Sequence, residues 1–99
     1  MAEAANAQNA YTCQQCGGVI VTINRDEGVT PMFLRCRAQN GCGEGMMGSS
    51  WYHLPDDAPE PSWEWYRPSR GELRRLKRSD PATADHCARG GLLIRGIRP

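Results

Sequence analysis

The 99-residue chain carries five cysteines and two histidines, and these hold most of the chemistry it could perform. Cys13-Gln14-Gln15-Cys16-Gly17-Gly18 places two thiols three positions apart, ahead of paired glycines. That spacing makes a tight turn in which both sulfurs point to one centre, and glycine lets backbone amides approach and hydrogen-bond the thiolates. Redox exchange, disulfide bonding and metal ligation all use such pairs. A redox CxxC opens a helix within a βαβ unit, whereas the run Val19-Ile20-Val21-Thr22-Ile23 follows here. Disulfides belong to oxidising compartments. Met1 to Ala10, "MAEAANAQNA", has neither the basic start nor the apolar run of a secretory signal. The reading is therefore a soluble, cytoplasmic protein with reduced thiols that ligate a metal.

A closed four-coordinate zinc site needs two such half-sites, and Cys36 with Cys42 is the only close second pair. Cys13, Cys16, Cys36 and Cys42 are the expected zinc ligands. The sequence leaves Cys87, His86 and His53 as substitutes for Cys42. Cys87 also reads as a small buried hydrophobe on the last helix, and His53 as a surface side chain. No paired carboxylates lie in an apolar setting, Cys87 beside His86 lacks a third orienting group, and a four-thiol zinc leaves no position for water. The chain reads as non-enzymatic, with no small-molecule substrate.

A staple is needed because the core is small. Leu, Ile, Val and Phe number 14 in 99 residues, under the roughly 20% of chains that bury themselves unaided. The net charge of +1 argues against disorder. No apolar stretch approaches the roughly 20 residues of a membrane span.

The elements that must position the thiols follow from local pattern. Residues 1–10 read as a frayed tail, and 11–99 as one domain with a ribbon core at 13–43 and an extension at 44–99. Val19 to Ile23 predicts a strand, Arg25 to Gly28 a turn, and Val29 to Arg35 the returning strand of a hairpin that brings Cys36 back to Cys16. The glycine-rich 40–50 stretch predicts loop, with Asn40-Gly41 making a sharp reversal. Trp51 to Leu54 predicts a short strand and 55–61, "PDDAPEP", a surface linker. Ser69 with Glu72 has capping-box spacing for a helix to about Arg78. Asp80-Pro81 starts a second helix that Gly90 ends. Leu92 to Ile94 predicts a last strand. The expected class is small α+β, an antiparallel sheet built on a hairpin, with one or two short C-terminal helices.

With its CxxC turn, second cysteine turn and intervening hairpin, the stretch from Cys13 to about Gly43 resembles the zinc-ribbon family, which implies one structural zinc shared by the two turns. "CRAQNGC" departs from the family in having five residues between its thiols. The wider pattern, CxxCGG, "DEGVTPMFLRC", "EWYRP" and "GGLLIR", looks like small zinc-ribbon proteins carried by bacteriophages and prophages. That resemblance implies a role in a bacterial host: gene control, assembly or interference with host machinery.

Two features point to partners. Trp63, Trp65 and Tyr66 fall within four residues, as core or as anchors for a protein. Residues 50–66 carry a balance of −4, and Arg67, Arg70, Arg74, Arg75, Lys77 and Arg78 against Glu72 give +5 over 67–78. The first reading is docking on a host protein or nucleoprotein complex as inhibitor or adaptor. The second is nucleic-acid binding through the basic run.

Overall fold

The β-branched run does form a strand, but it pairs with segments other than the one that follows it. The computed structural model describes residues 6–39 and 41–97. In chain order its elements are β1 (Gln8–Cys13), β2 (Val19–Asn24), β3 (Phe33–Arg35), β4 (Met46–Ser49), β5 (Trp63–Tyr66), α1 (Arg70–Ser79), α2 (Pro81–Ala88) and β6 (Leu93–Gly96). The architecture is small, mixed α+β, with one six-stranded sheet in the order β3-β4-β1-β2-β5-β6. All neighbours are antiparallel except β2 and β5, which run parallel. The sheet is thus mixed rather than purely antiparallel.

The expected hairpin between β2 and β3 is absent. Two hairpins, β1–β2 and β3–β4, take its place, and β1 pairs with β4 between them. The frayed tail is corrected for residues 8–10: β1 begins at Gln8, and Asn9 and Ala10 are buried. Asn6 also donates its amide to the Asn24 carbonyl at 2.6 Å. Residues 1–5 lie outside the described part. A central strand buries both faces whatever its polarity, so Asn9 is carried inside by its position between two partners.

Part of the glycine-rich stretch expected as loop is β4, whose Met47 is fully buried opposite Cys13 and Leu34. The strand expected at Trp51 to Leu54 is a turn with positive φ at Trp51 (61°) and Tyr52 (66°). The long return strand shrinks to Phe33–Arg35, preceded at Val29 by a single parallel bridge to Gly91.

That bridge curls the sheet. Val29 leads into β3 at one edge and Gly91 leads into β6 at the other, so their pairing joins the two edges. Val29 donates to the Gly90 carbonyl at 2.8 Å, and Leu92 donates to the Val29 carbonyl at 3.0 Å. The enclosed face carries Tyr11, Ile20, Met47, Trp65 and Leu92. The Tyr11 hydroxyl donates to the Pro31 carbonyl at 2.7 Å, and its ring lies 6.4 Å from the Trp65 ring.

Both helices start where their caps require. Ser69 Oγ accepts the Glu72 amide at 3.1 Å. The other half of the box is missing, because the Glu72 carboxylate turns inward to accept the Tyr66 hydroxyl at 2.6 Å. Asp80 accepts the Thr83 amide at 3.3 Å ahead of Pro81 at the first turn. On the outer face of β5, Glu64 accepts from Arg25 at 2.7 Å and from Arg95 at 3.0 Å.

Candidate metal centre

The pairing of β1 with β4 sets Cys13 opposite Met47, so the β1–β2 turn and the β3–β4 turn emerge at the same end of the sheet. The first turn carries Cys13 and Cys16, the second Cys36 and Cys42. Cys13 Sγ lies 3.6 Å from Cys42 Sγ, and Cys16 Sγ lies 3.7 Å from Cys36 Sγ. All four sulfurs fall within 4.8 Å of one another. No disulfide joins them, and all five cysteines are free thiols. Four thiolates around an ion at about 2.3 Å form a tetrahedron with edges of about 3.8 Å, which is the spacing of the two cross-turn pairs. The four cysteines are therefore close enough to bind a metal ion.

Backbone amides aim at these sulfurs as the first turn predicts. Gln15 and Cys16 both donate to Cys13 Sγ at 3.4 Å, Gly18 to Cys16 Sγ at 3.4 Å, and Gly45 to Cys42 Sγ at 3.2 Å. Hydrogen bonds to a thiolate favour the charged form. The amides of Glu44 and Gly45 hold the Cys42 thiol below its ordinary value, those of Ala38 and Gly43 do so at Cys36, and those of Cys42 and Gly18 at Cys16. Cys13 is the exception. The Cys16 amide lowers it, but burial and the neighbouring thiols of Cys16 and Cys42 raise it overall.

Glycine is required at two kinds of place here. Gly17 (φ 76°) and Gly43 (φ 70°) each follow the second cysteine of a turn in the left-handed region. Gly45 permits a close crossing: a Cβ there would lie 2.7 Å from Cys13 Sγ and 2.7 Å from Gln15 Cβ. Asn40, part of the expected Asn40-Gly41 reversal, lies outside the described residues.

Cys42 supplies the fourth sulfur of the cluster, so the substitutes are not needed. His53 is exposed, and His86 and Cys87 are half-buried on α2, outside the cluster. The residues expected at a partner surface divide sharply. Trp65 is 2% exposed and belongs to the core, so it cannot act as an exposed anchor. Trp63 is half-buried beneath the Arg37 guanidinium, 4.9 Å from its ring centre, and Tyr66 is half-buried beneath Arg95 at 4.0 Å. Arg67 is engaged within the fold, its amide bonding Asp26 and its guanidinium the Glu27 carbonyl, both at 2.8 Å. Arg70, Arg74, Arg75, Lys77 and Arg78 are exposed on α1.

The exposed large apolar side chains lie elsewhere: Met32, Phe33, Met46, Trp51 and Leu54. Trp51, 65% exposed, was expected in a strand. Met32, Pro31, Trp51 and Tyr52 share a concavity of about 360 Å³. A polar network around the buried Asn9 fixes that turn. Asn9 Oδ1 accepts the Tyr52 amide at 3.0 Å, Ser49 Oγ accepts the Trp51 amide at 3.1 Å, and Asn9 Nδ2 donates to Ser49 Oγ at 2.8 Å. Asn9 and Ser49 are some forty residues apart, so no local pattern marked the turn.

Comparison with known protein families, curated proteins and solved structures finds no match to this chain. No helix among the described residues is long and apolar enough to cross a membrane.

Proposed function

We propose that the four thiolates hold a structural zinc ion in a zinc-ribbon-like centre, and that the protein is a non-catalytic module docking on a partner protein through the surface around Trp51. Thiolate ligands and tetrahedral spacing suit zinc. A centre closed by four sulfurs leaves no corner for a reacting group, which supports a structural role.

The observation that carries the docking surface is the Trp51 turn. Left-handed backbone costs a non-glycine residue about 1 kcal/mol or more, and two successive aromatics adopt it here. The strain holds an indole out in solvent while Trp65 fills the core. Strained conformations persist where surrounding structure enforces them, often at binding sites. Tryptophan is the side chain that most often anchors interfaces. The exposed Asp56 and Asp57 follow Trp51 by five and six residues and put negative charge on the same segment. A partner with an apolar pocket rimmed by Lys or Arg fits that surface. The resemblance to phage-borne ribbons supports, by association, a bacterial host complex as that partner, with the module as inhibitor or adaptor.

The test has two arms. Zinc should be found at one ion per chain, with circular dichroism collapsing on chelation. Cys42→Ser should lose the metal and Cys87→Ser keep it. A metal-free chain with an unchanged spectrum would sink the structural role. In nuclease-treated bacterial lysate, immobilised protein should retain a stoichiometric protein that Trp51→Ala loses, at a cost of about 2 kcal/mol or more. Equal capture by both forms overturns the docking surface.

A further inference from the structure

We infer that the outer face of α1 binds the phosphate backbone of a duplex nucleic acid, at a site separate from the Trp51 surface and independent of it. Arg70, Arg74, Arg75, Lys77 and Arg78 are all exposed on this ten-residue helix. Among the described residues none of the five joins an ion pair; the pairs present are Arg25 and Arg95 with Glu64, and Arg89 with Asp85. The one acid of α1, Glu72, is withdrawn from that face by its bond to the Tyr66 hydroxyl. Apart from Ser79, the exposed side chains of the helix are thus all cationic.

The cations also line concave surface. One concavity of about 330 Å³ is lined by Gly71, Arg74, Arg75 and Arg78, and one of about 360 Å³ by Arg70, Leu73, Arg74 and Lys77. Arg74 belongs to both, so they adjoin. Gly71 has no packing reason to be glycine. A Cβ there would meet nothing nearer than Arg75 Nη1 at 3.9 Å, and its φ is ordinary. Alanine would favour the helix. What glycine leaves open is the floor of a cationic concavity beside the helix N-terminus, where backbone amides and the helix dipole favour an anion.

A duplex is the occupant the chemistry selects. Ten residues of helix extend about 15 Å, along which a duplex presents about nine charges. The exposed face of α1 carries no aromatic ring, so it offers no platform for stacking the bases of a single strand. Contacts limited to phosphates predict binding without sequence preference.

The experiment is fluorescence anisotropy of the zinc-loaded full chain with a labelled 20-base-pair DNA duplex, the matching single strand, and, separately, vesicles containing 30% phosphatidylserine. Five phosphate contacts predict a log–log salt slope of about −4.5 for the duplex, falling to about −2.7 in Arg74→Ala/Arg75→Ala. Gly71→Ala should weaken duplex binding several-fold while raising the thermal midpoint, an opposition that a merely solvated helix face does not produce. Zinc content and circular dichroism identify folded variants. A slope unchanged in the double variant, or vesicle binding tighter than duplex binding, overturns the inference. Trp51→Ala should leave the duplex affinity as it was.

Discussion

Single residues at the metal end show what was legible locally and what was not. Cys13 and Cys16 declare themselves because a CxxC with following glycines is a complete half-site on its own. Cys42 is different, since five residues separate it from Cys36 and only the crossing of the two turns brings its sulfur to within 3.6 Å of Cys13. Gly45 makes that crossing possible, yet nothing in "NGCGEGMMG" singles it out among its neighbours. Gly45→Ala forces the second turn away from the Cys13 sulfur. It should reduce affinity for the proposed zinc about 10-fold or more, the usual penalty for disturbing groups that position ligands, as read by competition with a chromophoric chelator. Gly48→Ala is the control, because a Cβ there meets Phe33 no closer than 3.6 Å and the turn is untouched.

At the scale of elements, segments with a local cause were readable and segments with a distant cause were not. The β-branched residues of β2 prefer extended backbone, and Ser69 and Asp80 cap their own helices. β1 and β4 hold Asn9 and Gly48, residues that favour no strand by themselves. They are strands because β1 is hydrogen-bonded on both sides and β4 bridges β1 and β3. Pairing is non-local, so a hairpin inferred from neighbouring strands picked the wrong partners. β5 carries an electrostatic contact with a pH signature. The Arg25 guanidinium above all, with Arg95, holds Glu64 below its ordinary carboxyl value of 4.5. A depressed pKa contributes stability that is present above about pH 4.5 and lost as pH falls through the folded value. The urea midpoint should therefore drop on acidification below 4.5. In Glu64→Gln that part of the drop should vanish, at a cost near neutral pH of about 1 kcal/mol or less, as for other solvent-screened pairs.

For the whole molecule, the enclosed Tyr11 is the most telling side chain. Burial pushes its phenol up to about 12 from 10.0. A raised pKa means stability is intact below pH 10 and declines as pH rises toward 12, because the unfolded chain ionises first. Tyr66, raised to about 12 by burial and then by Glu72, adds a similar share. Tyr11→Phe should cost about 1 kcal/mol at neutral pH through the lost bond to Pro31, yet flatten the alkaline decline between pH 10 and 12 by about half, measured by urea unfolding across that range. The curl that encloses Tyr11 depends on Val29 meeting Gly91, and this sets a schedule for the nascent chain. Both cysteine turns are synthesised before α1. At about 5–20 residues per second, Gly91 follows Cys42 only after an interval on the order of seconds. During those seconds all four thiols have been synthesised and Gly91 has not, so Tyr11 has no second edge to close over it. If the proposed zinc binds the thiols in that interval, its capture precedes closure, and chains made without it would bring their last strand to a sheet not yet assembled.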